Sequence, residues 1–274
     1  MTDVPLLSPE RLRELGRARR AEALRLGTLE PLYTESVVLH EEPGPFVLHV
    51  AANLRRKPTG GRDARRPDPF VPPYEPSLHV GALPDGWHVL LNKYPVLPEH
   101  YLLVPERFEP QEAPLDDGCF AAACFALEAL DGLLFYNAGA VAGASQPHRH
   151  LQLVALPLHP GLPPVPLLEA VLGHRLPVRL AVAPTPSDVA GWRRTYAALL
   201  EASAWRAEQA YDLLATRRWC WLVPRRTECW GQVSVNALGF AGSLYLPDRD
   251  RLEQVRRAGP VELLRAVGCP ARAG

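Results

Sequence analysis

The sequence lacks the features that would assign it to a membrane, secreted or disulfide-bonded class. No apolar run reaches the roughly 18 residues that a membrane-spanning helix needs. Residues 1–25 carry charges of both signs and have no apolar core of the kind found in secretion signals. The five cysteines include no Cys-x-x-Cys pair. Thiols in this pattern favour a reducing environment, so the sequence predicts a cytoplasmic protein.

Net charge is absent as well, because 30 basic and 30 acidic residues balance. The chain therefore has no general attraction to nucleic acid or to a membrane surface, and any anion site must be a local cluster. Lysine is nearly absent, since Lys57 and Lys93 are the two lysines among the 274 residues. Lys57 lies in an arginine-rich loop with Gly and Pro, which is one such cluster.

Residues 135–154 combine an apolar strand, a loop of small residues and a second strand predicted at 148–156. Side chains alternate between the two faces of a strand. His148, His150 and Gln152 therefore share one face of an otherwise apolar sheet. Three polar groups in a row on such a face indicate a functional site.

Three interpretations of this polar row are open. A zinc site needs a third and usually a fourth ligand of carboxylate, histidine or cysteine type. The next acidic residue after His150 is Glu169, beyond a Pro-rich stretch, and Gln152 is a poor zinc ligand. No metal ligands are therefore predicted. A structural row, in which each imidazole bonds to the backbone, is the second interpretation.

The third interpretation is nucleophilic catalysis on phosphorus. A neutral imidazole can attack a phosphoryl group and form a phosphoramidate, provided that its other nitrogen is held by a hydrogen bond. Donors must also surround the phosphate and hold its spread negative charge. The loop at 139–146 supplies small residues that let backbone N–H groups approach a polyphosphate, with Ser145 and Gln146 as side-chain donors.

These residues resemble the nucleotidyltransferase branch of the histidine-triad superfamily, and most closely its ATP adenylyltransferases, also called diadenosine tetraphosphate phosphorylases. The resemblance covers most of the chain. The matching stretches are Leu-Arg-Arg-Lys-Pro at 54–58, Leu-Asn-Lys-Tyr-Pro at 91–95, Asn137, Gly-Ala-Ser-Gln at 143–146, His-x-His-x-Gln at 148–152, residues 211–225 and Asn-Ala-Leu-Gly-Phe-Ala-Gly at 236–242.

The resemblance implies a reaction in two steps. His150 takes AMP from diadenosine tetraphosphate and releases ATP, and phosphate then removes the AMP as ADP; the reverse reaction makes the dinucleotide. His148 and Gln152 are implied as the flanking catalytic residues. Hydrolases of the superfamily have a histidine where Gln152 stands, and an amide, which does not titrate near neutral pH, favours transfer to phosphate over hydrolysis. A sugar-phosphate nucleotidyltransferase and a non-catalytic nucleotide sensor are the alternative hypotheses.

The resemblance also implies substrate contacts and partners. The implied contacts are Lys57, Asn92, Lys93, Asn137, Gly143, Ala144, Ser145, Gln146, Gln152, Asn236, Ala237 and Leu238. The partners are small molecules, namely diadenosine tetraphosphate, ATP, ADP and phosphate, bound by a monomer or a dimer. No tightly bound cofactor is expected, and any Mg²⁺ would accompany the nucleotide.

The predicted fold class is α+β and histidine-triad-like, with a mostly antiparallel sheet flanked by helices. Residues 8–26 and 115–130 have helical spacing. Residues 1–160 form the predicted N-terminal catalytic region, the Pro-rich residues 161–186 a linker, and residues 187–274 a C-terminal adenylyltransferase region that completes the α+β fold.

Overall fold

A large sheet carries the His-x-His-x-Gln motif in the computed structural model, which describes residues 6–32, 34–51 and 67–271. In these ranges the helices are α1 (Pro9–Leu26), α2 (Asp117–Ala129), α3 (Leu168–Leu172), α4 (Val189–Ala202), α5 (Arg249–Ala258) and α6 (Pro260–Val267). None of these helices is both long and apolar enough to cross a membrane. The strands are β1 (Thr34–Glu41), β2 (Gly44–Ala51), β3 (His79–Ala82), β4 (Trp87–Leu91), β5 (His100–Pro105), β6 (Gly132–Asn137), β7 (Leu151–Ala155), β8 (Ala181–Pro184), β9 (Tyr211–Ala215), β10 (Trp219–Pro224), β11 (Cys229–Trp230), β12 (Val233–Ser234) and β13 (Ser243–Leu246).

Eight strands form the main sheet in the order β3-β4-β5-β7-β6-β9-β10-β8, and every neighbouring pair is antiparallel. Strands β1, β2 and β13 form a second sheet, in which β13 runs parallel to β2. Strands β11 and β12 form a short ribbon. The α+β architecture with a mostly antiparallel sheet, predicted from the sequence, is confirmed.

Local sequence signals explain the bounds of the first two helices. Pro9 occupies the first turn of α1, where its missing N–H removes no hydrogen bond. Gly27, with a φ of 71°, ends α1 in the left-handed conformation that glycine adopts without steric conflict. The carboxylate of Asp116 accepts a hydrogen bond from the Cys119 N–H and caps α2. The helix predicted at 115–130 is therefore confirmed, with ends that differ by one or two residues.

The main sheet has an apolar layer on each face, because alternate strand residues point in opposite directions. Leu103, Leu151 and Leu153 belong to a core that also contains residues of α1, α2 and α4. On the other face Phe135 and Val154 pack into a second core with residues of the second sheet and of α5 and α6. This second face is also the face to which His150 and Gln152 belong by strand alternation.

The Pro-rich segment predicted as a linker, residues 161–186, is part of the folded body. It contains α3 and β8, and its apolar side chains include the buried Val165, Leu167 and Val178. β8 pairs with β10 at one edge of the main sheet. The sheet also joins β6 to β9, so it continues without a break from the predicted N-terminal region into the predicted C-terminal region.

Candidate active site

The motif histidines lie immediately before β7, which begins at Leu151 and not at His148 as predicted. The preceding backbone pairs with the segment that follows β5. The Gln111 N–H donates to the Pro147 carbonyl at 2.8 Å, and an isolated bridge joins Pro110 to His148. This pairing replaces the regular ladder of the main sheet, which explains why the strand starts later than the alternation suggests.

Gln111 is a fully buried amide to which sequence reasoning assigned no role. Its Oε1 accepts a hydrogen bond from the His150 N–H at 2.8 Å, and its Nε2 donates to the Asn137 carbonyl at 2.8 Å and to the His150 carbonyl at 3.3 Å. One side chain thus joins the end of β6 to the motif. The partners are 26 and 39 residues away in the chain, so no local pattern could have identified it.

The alternation predicted for the motif persists in the structure. The rings of His148 and His150 both contact Phe70, with centroid distances of 5.9 Å and 5.2 Å. Arg149, between them, forms ion pairs with Glu109 and Asp116 instead. The two imidazoles therefore lie on one side of the backbone and the guanidinium on the other.

His150 has the tautomer that nucleophilic attack requires. Its Nδ1 lies 2.9 Å from the carbonyl oxygen of His148. A carbonyl can only accept, so the proton of the neutral ring is on Nδ1 and the lone pair is on Nε2. The ring is almost fully buried. The backbone of the motif itself therefore places the lone pair of the ring on Nε2.

His148 is held by protein acceptors at both ring nitrogens. Nδ1 lies 2.8 Å from the Oδ2 of Asp68, and Nε2 lies 3.0 Å from the carbonyl oxygen of Pro105. Both ring nitrogens of His148 are therefore engaged within the protein. Its role as a catalytic residue that flanks His150 stays a prediction.

Gln152 is paired with His100, a buried histidine at the start of β5. The His100 Nε2–H donates to the Oε1 of Gln152 at 2.9 Å, which leaves Nδ1 as the acceptor for the Asn92 Nδ2 group at 3.4 Å. The Asn92 N–H also donates to the His100 carbonyl at 2.9 Å. Because Oε1 accepts from His100, the orientation of the Gln152 amide is fixed and its Nε2 group is the side available to donate. Two of the implied contact residues, Asn92 and Gln152, are thus joined through one ring.

Lys93 makes its described contacts with residues outside the motif. The Nζ of Lys93 lies 3.5 Å from the Oε1 of Glu30 and 5.5 Å from the ring centroid of Tyr94, and the side chain is half exposed. Such a surface ion pair contributes little to stability. Lys57 and the arginine-rich loop around it lie outside the described residues.

The small-residue loop packs directly against the segment that contains Asn236. Gly143 has a φ of 93°, and a Cβ at this position would lie 2.9 Å from the Cβ of Asn236. Glycine is therefore required here both by its conformation and by the close approach. The Oδ1 of Asn137 accepts a hydrogen bond from the Ala237 N–H at 2.9 Å. The implied contacts at 137, 143–146 and 236–238 thus lie next to one another in the fold. Ser145 is exposed, whereas Asn137, Ala237 and Leu238 are buried.

Arg225 is fully buried and was also missed by sequence reasoning. It donates hydrogen bonds to backbone carbonyls next to these contact residues. Its Nη1 donates to the Ala142 carbonyl at 3.1 Å and to the Oδ2 of Asp212 at 2.6 Å, and its Nη2 donates to the Val235 carbonyl at 2.7 Å. Burial raises the pKa of Asp212 above its ordinary value, against the opposing effect of the Arg225 charge. One guanidinium therefore ties the small-residue loop to the residues that precede Asn236.

A metal centre made from protein ligands would need at least three histidine, cysteine or acidic side chains close together. Within the ranges that the structure describes, no such group occurs. The titratable groups beside the motif pair with one another instead, as His148 does with Asp68.

Two family models together match nearly the whole chain. The Ap4A phosphorylase N-terminal domain, where Ap4A is diadenosine tetraphosphate, matches residues 2–173. The ATP adenylyltransferase C-terminal domain matches residues 174–270. The boundary between the two models falls inside the segment predicted as a linker.

Curated and solved relatives come from baker's yeast, Saccharomyces cerevisiae. The chain is 30% identical over 251 residues to diadenosine 5',5'''-P1,P4-tetraphosphate phosphorylase 2, with 75% of this chain and 77% of the relative covered. It is 26% identical over 242 residues to Protein APA1, with coverage of 73% and 75%. The crystal structure of yeast Ap4A phosphorylase Apa2 in complex with Ap4A matches with a TM-score of 0.83 at 24% identity, over 97% of this chain and 100% of that one. The AMP complex of Apa2 matches with a TM-score of 0.80 at 25% identity, with the same coverage. The chain therefore belongs to the family of Ap4A phosphorylases and ATP adenylyltransferases.

Proposed function

We propose that this chain catalyses the phosphorolysis of diadenosine tetraphosphate to ATP and ADP, and the reverse synthesis, through an adenylyl-His150 intermediate. The Nε2 of His150 attacks the phosphorus next to one adenosine, the bond from that phosphorus to the bridging oxygen breaks, and ATP leaves. An oxygen of inorganic phosphate then attacks the same phosphorus, the P–N bond breaks, and ADP leaves. The observation that carries this proposal is the Nδ1–H bond to the His148 carbonyl, which directs the lone pair to Nε2.

Gln152 supports transfer to phosphate over hydrolysis. Its amide can donate to a phosphate oxygen, but it cannot take a proton from water near neutral pH. The bond from His100 to Oε1 favours the orientation in which the amide nitrogen faces the substrate. A site with this donor stabilises the transferred group without providing a base for water.

The remaining contacts are proposed on position. Residues 143–146 and 236–238, with Asn137 between them, are proposed to hold the polyphosphate. The side chains of Ser145 and Gln146 would donate to it, because the N–H groups of Gly143, Ala144, Ala237 and Leu238 already donate within the protein. Asn92 would contact the nucleotide next to Gln152. Lys57 and Lys93 are retained as proposed contacts with the phosphates.

Several properties of the enzyme remain proposals of the same kind. We propose small nucleotides and phosphate as its partners, a monomer or a dimer as its assembly, and no tightly bound cofactor, with any Mg²⁺ arriving on the nucleotide. A cytoplasmic location is supported by the five cysteines, all of which are free.

Product analysis with diadenosine tetraphosphate tests the proposal. With phosphate present we expect ATP and ADP in equal amounts. Without phosphate we expect ATP release to stop after one equivalent per enzyme, because the adenylyl group stays on His150. Continuous release of ATP and AMP without phosphate would identify a hydrolase and would contradict the proposal.

A further inference from the structure

We infer that Asp68 is a positioning residue for the nucleophile, acting through His148. The inference rests on the proposed function of His150 as the residue that carries the adenylyl group. Asp68 follows directly on the arginine-rich loop in the sequence, and neither its position nor its chemistry marks it as part of the motif. Its partner is 80 residues away in the chain.

The carboxylate of Asp68 is used at both oxygens. Oδ2 lies 2.8 Å from the Nδ1 of His148, and Oδ1 accepts a hydrogen bond from the Phe70 N–H at 2.9 Å. The second bond holds the carboxylate in one orientation relative to its own loop. A hydrogen bond to a charged acceptor is stronger than one between neutral groups, so this contact is a firm anchor for the His148 ring.

The anchored ring determines where the nucleophile's acceptor lies. The His148 side chain is completely buried, its Nε2 donates to the Pro105 carbonyl, and the rings of Phe70 and Phe108 pack on it at 5.9 Å and 5.4 Å. With the ring held at both nitrogens, the residue can rotate little, and its carbonyl oxygen stays 2.9 Å from the Nδ1 of His150. Asp68 therefore acts through His148 on the tautomer and orientation of His150.

The segment 68–70 also contacts His150 directly, through the apolar side chain of Phe70. Phe70 packs on the His150 ring at 5.2 Å, and it is itself buried in a small cluster with Leu90, Leu102 and Val104. A carboxylate and a phenyl ring two positions apart thus hold both motif histidines. The orientation of His150 thus depends on the position of residues 68–70.

The activity test compares Asp68→Asn and Asp68→Ala with the wild-type enzyme in single-turnover adenylylation by diadenosine tetraphosphate. Asp68→Asn keeps the shape and removes the charge, and we expect a loss of about tenfold in the rate constant. Asp68→Ala removes the anchor, and the loss should be on the order of a hundredfold. The substrate concentration for half-maximal rate should change little, because both carboxylate oxygens of Asp68 are engaged within the protein. Asp117→Asn, which removes a carboxylate from the exposed ion pair with Arg193, is the matched control and should retain the wild-type rate.

A second measurement separates this inference from the proposed function. Nitrogen-15 NMR of the imidazole side chains in the nucleotide-free protein reports which nitrogen of His150 carries the proton. We expect the Nδ1–H tautomer in the wild type and a mixture of tautomers in Asp68→Ala, with thermal unfolding showing that the variant is folded. If the wild type lacks phosphorolysis but the tautomer depends on Asp68, the proposed function fails and the positioning role stands. An unchanged tautomer together with adenylylation within twofold of the wild-type rate would overturn the inference.

Discussion

Two pairs of histidines are held in opposite ways in this chain. In the motif, the rings of His148 and His150 bond to carbonyl and carboxylate oxygens whose positions are fixed. In the second pair, on β3 and β4, the Nε2 of His79 lies 3.1 Å from the Nδ1 of His88, and the Tyr74 ring packs on both. In the second pair one ring nitrogen must donate and the other accept, so the tautomers of the two rings depend on each other. In the motif each ring has its own oxygen acceptor.

The environment of the second pair also differs. Burial lowers the pKa of both His79 and His88, and for His88 this effect exceeds the opposite influence of Glu106. Two imidazoles side by side on a sheet thus do not by themselves determine which ring nitrogen carries the lone pair. The difference lies in an acceptor that can never donate, such as the His148 carbonyl, because only that kind of partner leaves a lone pair at a known atom.

The largest effect is expected when His150, the proposed nucleophile, is removed. Replacing His150 with Ala should lower phosphorolysis by on the order of 10⁴-fold or more, because the covalent step has no substitute. Steady-state product formation measures the loss, and thermal unfolding shows that the variant folds. Turnover that persists at the wild-type rate would mean that the fixed tautomer has no catalytic meaning.

Gln152→His tests whether the third polar position excludes water. A histidine there can act as a base, and general base catalysis typically contributes on the order of 10²-fold. The ratio of AMP to ADP formed from diadenosine tetraphosphate in the presence of phosphate should rise by about that factor. An unchanged ratio would show that the amide is not what favours phosphorolysis.

Gln111→Ala should destabilise the fold around the motif. The His150 N–H and the Asn137 carbonyl both lose their buried partner, and each unsatisfied group costs roughly 1–3 kcal/mol. Urea unfolding measures the free energy of unfolding. Gln232→Ala, at an exposed position, is the control and should change it by less than about 0.5 kcal/mol. Equal stabilities for the two variants would contradict the role of Gln111 in joining the end of β6 to the motif.

His49 is a buried histidine outside both pairs, and it extends the comparison to the pH dependence of stability. Burial, with a smaller contribution from the charge of His159, lowers the pKa of His49 to about 4 from 6.5. The unfolded chain therefore binds more protons between these values, and stability falls as the pH drops below about 6.5. From pH 7 to pH 5 this group should remove roughly 2 kcal/mol from the free energy of unfolding. His49→Phe should show a correspondingly smaller loss over that range in urea unfolding, and an identical loss would refute the assignment.

The smallest effect is expected for the second histidine pair. His79→Gln and His88→Gln should each keep phosphorolysis within about twofold of the wild-type rate, the level of change typical of substitutions away from a functional site. The same assay as for His150→Ala measures it. A loss of tenfold in either variant would mean that this pair, too, takes part in the reaction.

The sequence predicts the parts of this molecule that depend on local pattern. The helices α1 and α2, the antiparallel strands and the shared face of the motif follow from periodicity, capping residues and alternation. The start of β7 does not follow, because pairing with the segment 109–111 replaces the regular ladder. β8 was missed for a related reason, since its Pro-rich surroundings predict a loop. An edge strand that ends in Pro184 is compatible with the sheet, because the proline need not donate to it.

The residues that support the site escape prediction because their partners are distant in the chain. Asp68, Gln111 and Arg225 are an acid in a loop, an amide after a strand and one of many arginines, respectively. Each acquires its role when the sheet brings together backbone groups that are tens of residues apart. A family resemblance carries the motif residues across, but it says nothing of the side chains that hold them.

The most direct test of the covalent mechanism is mass spectrometry of the protein after incubation with diadenosine tetraphosphate without phosphate. The proposed mechanism predicts one added adenylyl group on the peptide that contains His150, formed with one equivalent of ATP and removed as ADP when phosphate is added. An adduct on another residue, or none while ATP and ADP are still produced, would contradict it.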